Sequence, residues 1–227
     1  SPMSRGLGDV YKRQGLSKYY IKKIINSFSA EMTATETSRK LKINRNTVNK
    51  YYRIIRGAVT HYQQVQGEIQ TFNNTTQLHY FSWHKNKGLI HTMEEGFPAF
   101  SLKVHNDKVF IDSVDASEIL NNNINGNSEK SEQENEVKEV EVIPKPLYET
   151  SPYYHRHNRK LDTASKFFIY AKEKLTKFYG VKEEYTYLYL KELEFRFNNQ
   201  DKDLSKLVWK ILPHHSPEWL KTSRHRR

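Results

Sequence analysis

The sequence predicts an α+β protein in which a small helical domain precedes a domain that contains a sheet. Apolar residues recur at three-to-four spacing from residue 16 to residue 63, which is typical of helices. Between residues 67 and 114 apolar and polar residues alternate, as they do in strands, and helical spacing returns near the C-terminal end. A chain of 227 residues has room for one medium and one small domain.

The composition favours a polyanionic partner and excludes several kinds of site. Lys and Arg total 37 against 26 Asp and Glu, so the net charge is +11, as in many nucleic-acid-binding proteins. The absence of Cys excludes disulfides, thiolate zinc sites and Cys nucleophiles within these residues. The sequence has neither a long apolar run nor a signal-peptide pattern, so we expect a cytoplasmic protein without a membrane segment.

Three helices are predicted in a first domain that covers residues 15–63. The first helix runs from Ser17 to Phe28, and the second begins near Thr33 or Thr35. Glu36 follows Thr33 by three residues, which is the capping-box arrangement. The third helix is expected from Asn46 to Gln63. Residues 1–14 lack periodicity and are treated as a non-native or disordered tail.

The second and third helices have the spacing of a helix-turn-helix. Small Ser38 lies where the second helix crosses the third, and apolar residues flank the turn and anchor the third helix. These apolar residues are Leu41, Ile43, Val48 and Tyr51. Lys42 replaces the usual turn glycine, so either Lys42 accepts the backbone angles of that turn or the turn differs slightly.

The outward face of the third helix carries residue types that read DNA. Arg pairs bidentately with guanine, Asn pairs with adenine, and Lys neutralises phosphates when the helix N-terminus enters the major groove. The predicted contacts to double-stranded DNA are Arg45, Asn46, Thr47, Asn49, Lys50 and Arg53, with Arg45, Asn46 and Asn49 as the expected base readers. The alternative is an ordinary three-helix bundle whose outward polar face is only solvated.

The second domain is predicted in three parts. Residues 66–120 contain a hairpin with strands at Phe97–Leu102 and Lys108–Ile111, and they end in the start of a helix. Residues 121–146 carry six Glu against three Lys and few apolar residues, so we expect a disordered acidic insertion. Residues 147–227 contribute C-terminal helices to the same domain.

Those C-terminal helices are predicted from three apolar stripes. The first stripe begins at Phe167 and its helix ends at Gly180, a residue suited to a left-handed cap. The second helix is expected over Glu184–Asn198 and the third over Asp203–Leu212.

Three blocks of the sequence resemble insertion-sequence transposases of the ISXO type. They are LKELEFRFN at residues 190–198, the segments at residues 16–25 and 45–49, and the strand and hairpin at residues 98–110. The resemblance implies an RNase H-like domain, in which helices flank a mixed sheet. It also implies an Asp-Asp-Glu triad that binds two divalent cations for DNA strand cleavage and transfer, with transposon terminal repeats as the DNA target.

The sequence departs from that triad. Gln77 occupies the position of the first Asp, Ser165 occupies that of the Glu, and no Asp lies between Asp115 and Asp162 for the second Asp. Two metal ions about 3.5–4 Å apart need hard anionic ligands, which amides and hydroxyls do not supply. We therefore predict an inactive, transposase-derived DNA-binding protein with no catalytic residue, metal ligand or cofactor.

Two alternatives remain at this point. In the first, the chain is an active transposase that uses Mg²⁺ with relocated ligands, for which the candidates are Asp112, Asp115, Asp162 and Glu173. In the second, it is a structural or oligomerising remnant that no longer binds DNA. The oligomeric state stays open, with a homo-oligomer among the options.

Overall fold

The structure is a computed structural model, and its described part mixes helices with a sheet, which confirms the α+β class. The residues that it describes are 16–69, 77–84, 88–90, 97–115, 161–175 and 182–216. The predicted N-terminal tail, the acidic insertion and the short helix before that insertion lie outside these ranges. Within them, no helix is long and apolar enough to cross a membrane.

Six helices and four strands make up the described part of the chain. The helices are α1 (Lys18–Ser29), α2 (Ala34–Leu41), α3 (Arg45–Ile69), α4 (Thr163–Leu175), α5 (Thr186–Asn198) and α6 (Leu204–His215), with a 3₁₀ turn at Glu183–Tyr185 before α5. The strands are β1 (Gln77–His84), β2 (Gly88–Ile90), β3 (Ala99–His105) and β4 (Lys108–Val114).

The chain divides into two compact units. The first contains residues 1–66 and 199–227, and the second contains residues 67–198. The sequence predicts that the last helix belongs to the second domain, whereas α6 belongs to the first unit because it packs against α1. The apolar stripe of α6 was correctly identified, but the stripe does not specify which helix covers it.

The first unit has an apolar core built by the inner faces of α1 and α3. The fully buried side chains on these two helices include Ile21, Ile24, Ile25, Phe28, Val48 and Ile55. Each such side chain contributes about 1.5–3 kcal/mol relative to an exposed position. Helix α3 extends six residues beyond the predicted end at Gln63, because Gly67 alone costs only about 1 kcal/mol in a helix and does not end it.

Helix α2 begins with the predicted capping box. The Thr33 hydroxyl accepts a hydrogen bond from the Glu36 backbone N–H at 3.2 Å, and the Glu36 carboxylate accepts one from the Thr33 N–H at 2.7 Å. Two backbone donors that the helix itself leaves without partners are satisfied in this way. The start of α2 is therefore fixed by local sequence.

The second unit contains a four-stranded sheet in the order β2-β1-β3-β4. The predicted hairpin is confirmed: β3 and β4 pair antiparallel, and the turn between them has positive φ at Asn106 and Asp107. Both residue types tolerate this conformation, which the right-handed twist of hairpins favours. The mixed sheet implied by the resemblance needs a parallel pair, but every pairing among the described strands is antiparallel.

One face of the sheet packs against α4 and α5 to form the core of the second unit. The sheet contributes aromatic and branched side chains, among them Phe81, Phe100, Leu102, Val109 and Ile111. Helix α4 adds Phe167, Phe168 and Ala171, and α5 adds Leu190 and Leu193. The apolar stripes predicted for these two helices supply these buried residues.

Polar side chains of α5 bind the backbone of β4. The Asn198 side-chain amide donates to the Val109 carbonyl at 2.7 Å, and its oxygen accepts from the Val109 N–H at 2.9 Å. One turn earlier, the Glu194 carboxyl accepts from the Ile111 N–H at 3.0 Å. Strand β4 is the last strand of the described sheet on this side, so α5 supplies the partners that another strand would otherwise supply.

We expect Asn198→Ala to lower the free energy of unfolding by about 1–3 kcal/mol, because it leaves the Val109 N–H and carbonyl without their partners. Denaturant titration measures the change. Gln200→Ala, at an exposed position nearby, is the control and should change stability by less than about 0.5 kcal/mol. Equal stability of the two variants would show that the Asn198 contacts are not needed.

Candidate functional site

The predicted contact residues lie together on the first three turns of α3. Arg45, Asn46, Asn49, Lys50 and Arg53 are all exposed, and Thr47 is half-buried. Their exposure follows from the helical period, because the opposite face of the same turns is buried. That buried face includes Val48, Tyr51, Tyr52 and Ile55.

The connection between α2 and α3 is a tight turn that Lys42 makes in the left-handed conformation. Lys42 has φ 54° and ψ 41°, so it adopts the angles that glycine usually takes at this position. Its N–H and that of Ile43 both donate to the Ser38 carbonyl, and the Ser38 hydroxyl donates to the Ile43 carbonyl at 2.7 Å. Lys42 therefore forms a left-handed C-cap of α2 although it is not glycine.

Asn44 caps the N-terminus of α3. Its side-chain oxygen accepts from the Asn46 N–H at 2.7 Å, and its carbonyl accepts from the N–H groups of Thr47 and Val48. Asn is among the best N-cap residues because a short side chain can reach these donors. The cap therefore holds the backbone that carries Arg45, Asn46 and Asn49 in helical conformation directly after the turn.

The Tyr52 hydroxyl connects α3 to the two preceding segments. It donates to the Met32 carbonyl at 2.9 Å and shares a 2.8 Å hydrogen bond with the buried Thr37 hydroxyl. The Tyr52 ring contacts Phe28 edge-on, and the Arg56 guanidinium lies 5.7 Å from the centroid of each of these two rings. These contacts determine which face of α3 points outward.

The surroundings of this face are strongly basic. Between residues 39 and 61 the chain has seven Lys and Arg residues and no Asp or Glu. Arg45, Lys50 and Arg53 belong to this group and are exposed. A surface with one sign of charge and several amide side chains suits an anionic ligand that also offers hydrogen-bonding groups.

The carboxylates proposed as relocated metal ligands have local partners where the structure describes them. Asp162 caps α4 by accepting from the Ser165 N–H at 2.8 Å, and Asp112 pairs with Lys103 at 3.1 Å. Gln77 lies at the start of β1, in register with Val104. In the described ranges no three or more His, Asp or Glu side chains come together as a metal site would require.

Helix α5 buries an ion pair that sequence reasoning missed. The Lys191 ammonium lies 2.9 Å from the Glu194 carboxyl and 3.9 Å from that of Asp112, and both Lys191 and Glu194 are fully buried. Burial raises the pKa of Glu194 to about 7, although Lys191 and the Ile111 N–H oppose this shift. No sequence signal separates these charges from a solvated helix face.

The N-cap role of Asn44 and the hydroxyl contacts of Tyr52 were also missed. Asn directly before a helical pattern is a recognised start signal, so the N-cap role of Asn44 could have been predicted from the sequence. Tyr52 lies on the buried face of α3, and its hydroxyl partners at Met32 and Thr37 depend on how α2 and α3 pack. Only tertiary structure identifies them.

Lys42→Gly is expected to raise the free energy of unfolding by about 0.5–1 kcal/mol, because a non-glycine residue at positive φ pays a steric cost that glycine avoids. The matched control is Lys40→Gly, inside α2 and two residues away, which should lower it by about 1 kcal/mol. Thermal and denaturant unfolding of both variants measure the difference. A loss of stability in Lys42→Gly would contradict the left-handed turn.

The stability of the protein should also depend on the ionisation of Glu194. The pKa of this carboxyl is raised from 4.5 to about 7, so the folded state holds a proton that the unfolded state releases between these values. Binding of this proton stabilises the folded state, and the stabilisation is full below about pH 4.5 and is lost as the pH rises through 7. The free energy of unfolding therefore falls over this range. In Glu194→Gln the decrease in unfolding free energy that comes from residue 194 should be absent, because Gln does not titrate.

Denaturant titrations at about pH 5 and about pH 8 test this dependence. Glu183→Gln, at an exposed position in the 3₁₀ turn, is the control and should retain the pH profile of the wild type. If Glu194→Gln and the wild type lose the same stability between the two pH values, then Glu194 is already ionised at the lower pH.

Comparison with protein-family models, curated proteins and solved structures finds no match to this chain. The functional assignment therefore depends on the geometry and charge of the residues described above.

Proposed function

We propose that this chain binds double-stranded DNA through a helix-turn-helix formed by α2 and α3, and that it is a catalytically inactive derivative of an insertion-sequence transposase. The observation that carries the DNA-binding part is the exposed set of Arg and Asn side chains on the first turns of α3. These side chains are exposed together at the capped start of α3, which directly follows the tight turn.

The dimensions of this face suit the major groove. An α-helix with its side chains is about 10–12 Å across, and the major groove of B-DNA is about 12 Å wide, so α3 can lie in it with this face towards the base edges. Arg45, Asn49 and Arg53 follow one another at intervals of four residues, so they form one row along the helix. Asn46 and Lys50 form a second row beside it. The two rows together allow base edges and phosphates to be contacted at once.

The residues have separate roles in this proposal. Arg45, Asn46 and Asn49 lie nearest the helix N-terminus and read base edges through their guanidinium and carboxamide groups. Lys50 and Arg53 neutralise phosphates on the strands that border the groove. Thr47 is half-buried, so its contact is limited to a nearby phosphate oxygen.

The residues at the triad positions support the second part of the proposal, that the chain is catalytically inactive. Gln77 and Ser165 offer neutral oxygen atoms where two divalent ions need anionic ligands. Asp162 uses its carboxylate to cap α4, and Asp112 uses its own to pair with Lys103. These contacts favour DNA binding without strand transfer over a relocated metal site.

A binding experiment with the full chain tests the proposal. The preferred sequence is first selected from a pool of random duplexes, and affinities are then measured at several salt concentrations. We expect Arg45→Ala and Asn49→Ala each to lose about 1–3 kcal/mol for the selected sequence and to relax its specificity. Lys50→Ala should weaken all duplexes alike and reduce the salt slope by about 0.9.

Lys206→Ala is the control, because Lys206 is an exposed lysine of α6 that pairs with Asp203 outside the proposed interface. The affinity of Lys206→Ala for duplex DNA should equal that of the wild type. The proposal fails if the wild type does not bind duplex DNA, or if Arg45→Ala and Asn49→Ala bind as the wild type does. Nicking of the selected duplex with Mg²⁺, abolished by Asp112→Ala or Asp162→Ala, would replace the inactive reading with an active transposase.

A further inference from the structure

The outer face of α1 carries a second cluster of basic and aromatic side chains. The exposed residues of this cluster are Lys18, Tyr19, Tyr20, Lys22, Lys23 and Asn26, and we call this set the α1 outer face. Helix α1 contains no Asp or Glu, so the three lysines are not neutralised from within the helix. This face lies on a different helix from the one assigned to duplex DNA.

Tyr19 is exposed to an unusual degree and yet has defined ring contacts. It leaves 65% of its surface open to solvent. The neighbouring Tyr20 ring meets it edge-on at 5.5 Å, and the Lys23 ammonium lies 5.5 Å from its centroid. The ring is therefore oriented before any ligand arrives, which lowers the entropic cost of stacking on it.

We infer that the α1 outer face binds single-stranded nucleic acid, with a base stacked on Tyr19 and phosphates neutralised by Lys18, Lys22 and Lys23. Proteins that hold single strands without sequence preference combine a basic surface with exposed aromatic rings, because every base has a π-face. A duplex does not offer such a face to Tyr19, since its bases are already stacked on one another. An unpaired base therefore matches the chemistry of this face.

A membrane surface fits α1 less well. A helix that lies in a bilayer needs a broad apolar face free to enter the lipid. The apolar residues of α1 instead form the core of the first unit: Ile21, Ile24, Ile25 and Phe28 are each at most 2% exposed. The tyrosines, the lysines and Asn26 remain outside, and that combination favours an anionic, aromatic ligand.

The test measures binding of the full chain to a thymidine oligonucleotide of about ten nucleotides, a length within the usual site size of such surfaces and unable to pair with itself. Fluorescence anisotropy of a labelled oligonucleotide gives the affinity. Tyr19→Ala should weaken binding by about 5-fold to 150-fold, as expected for the loss of one stacked base. Tyr19→Phe keeps the ring and should bind as the wild type does.

The lysines are tested through salt dependence. Lys22→Gln should reduce the slope of log affinity against log salt by about 0.7, the value for one phosphate contact to a single strand. Lys206→Gln, at an exposed and acid-paired lysine of α6, should leave the slope unchanged. Thermal unfolding of each variant checks that it folds, and we expect little change because Tyr19 and Lys22 are exposed.

The inference is overturned if the wild type does not bind the oligonucleotide, or if Tyr19→Ala and Lys22→Gln bind it like the wild type. Binding to anionic phospholipid vesicles that the same variants lose, without oligonucleotide binding, would assign the face to a membrane instead. Lys206→Gln, outside both basic faces, should leave oligonucleotide affinity unchanged, and because the two proposals rest on different helices a failure of duplex binding does not affect this result. Conversely, duplex binding without oligonucleotide binding would leave only the proposed function standing.

Discussion

The hydroxyl of Tyr52 is the contact on which the geometry of the first unit depends. It is hydrogen-bonded both to the Met32 carbonyl, between α1 and α2, and to the Thr37 hydroxyl within α2. A buried hydroxyl that loses its partners costs about 1–3 kcal/mol, so rotations of α3 that break these bonds are disfavoured. The direction in which Arg45, Asn49 and their neighbours point is thus set from the opposite face of their own helix.

The same unit accepts backbone strain at both of its short connections. Glu31 and Lys42 have φ of 57° and 54°, although neither is glycine. Each follows a helix, and at each site nearby N–H groups reach back to carbonyls of the preceding helix, such as Met32 to Ser27 and Ile43 to Ser38. Strain of this kind persists where surrounding bonds compensate for it, as these hydrogen bonds do at both connections.

Local patterns were sufficient to predict much of this structure. The capping box at Thr33 and the exposed row on α3 follow from residue types and the helical period, and the structure shows both. Other features depend on residues far away in sequence. Lys191 and Glu194 look like a solvated charge pair until β4, about 80 residues earlier, is seen to cover them. Which helix covers the apolar stripe of α6 also depends on contacts between residues that are far apart in the sequence.

The hydrogen bonds from α5 to β4 also limit how copies of this chain can associate. An open strand edge recruits strands from other molecules, because its N–H and carbonyl groups need partners. Along β4, the groups at Val109 and Ile111 are already occupied by Asn198 and Glu194. A strand from another molecule cannot pair at these positions unless α5 moves away. Strand addition at Val109 and Ile111 in a homo-oligomer would therefore require the Asn198 and Glu194 contacts to break first.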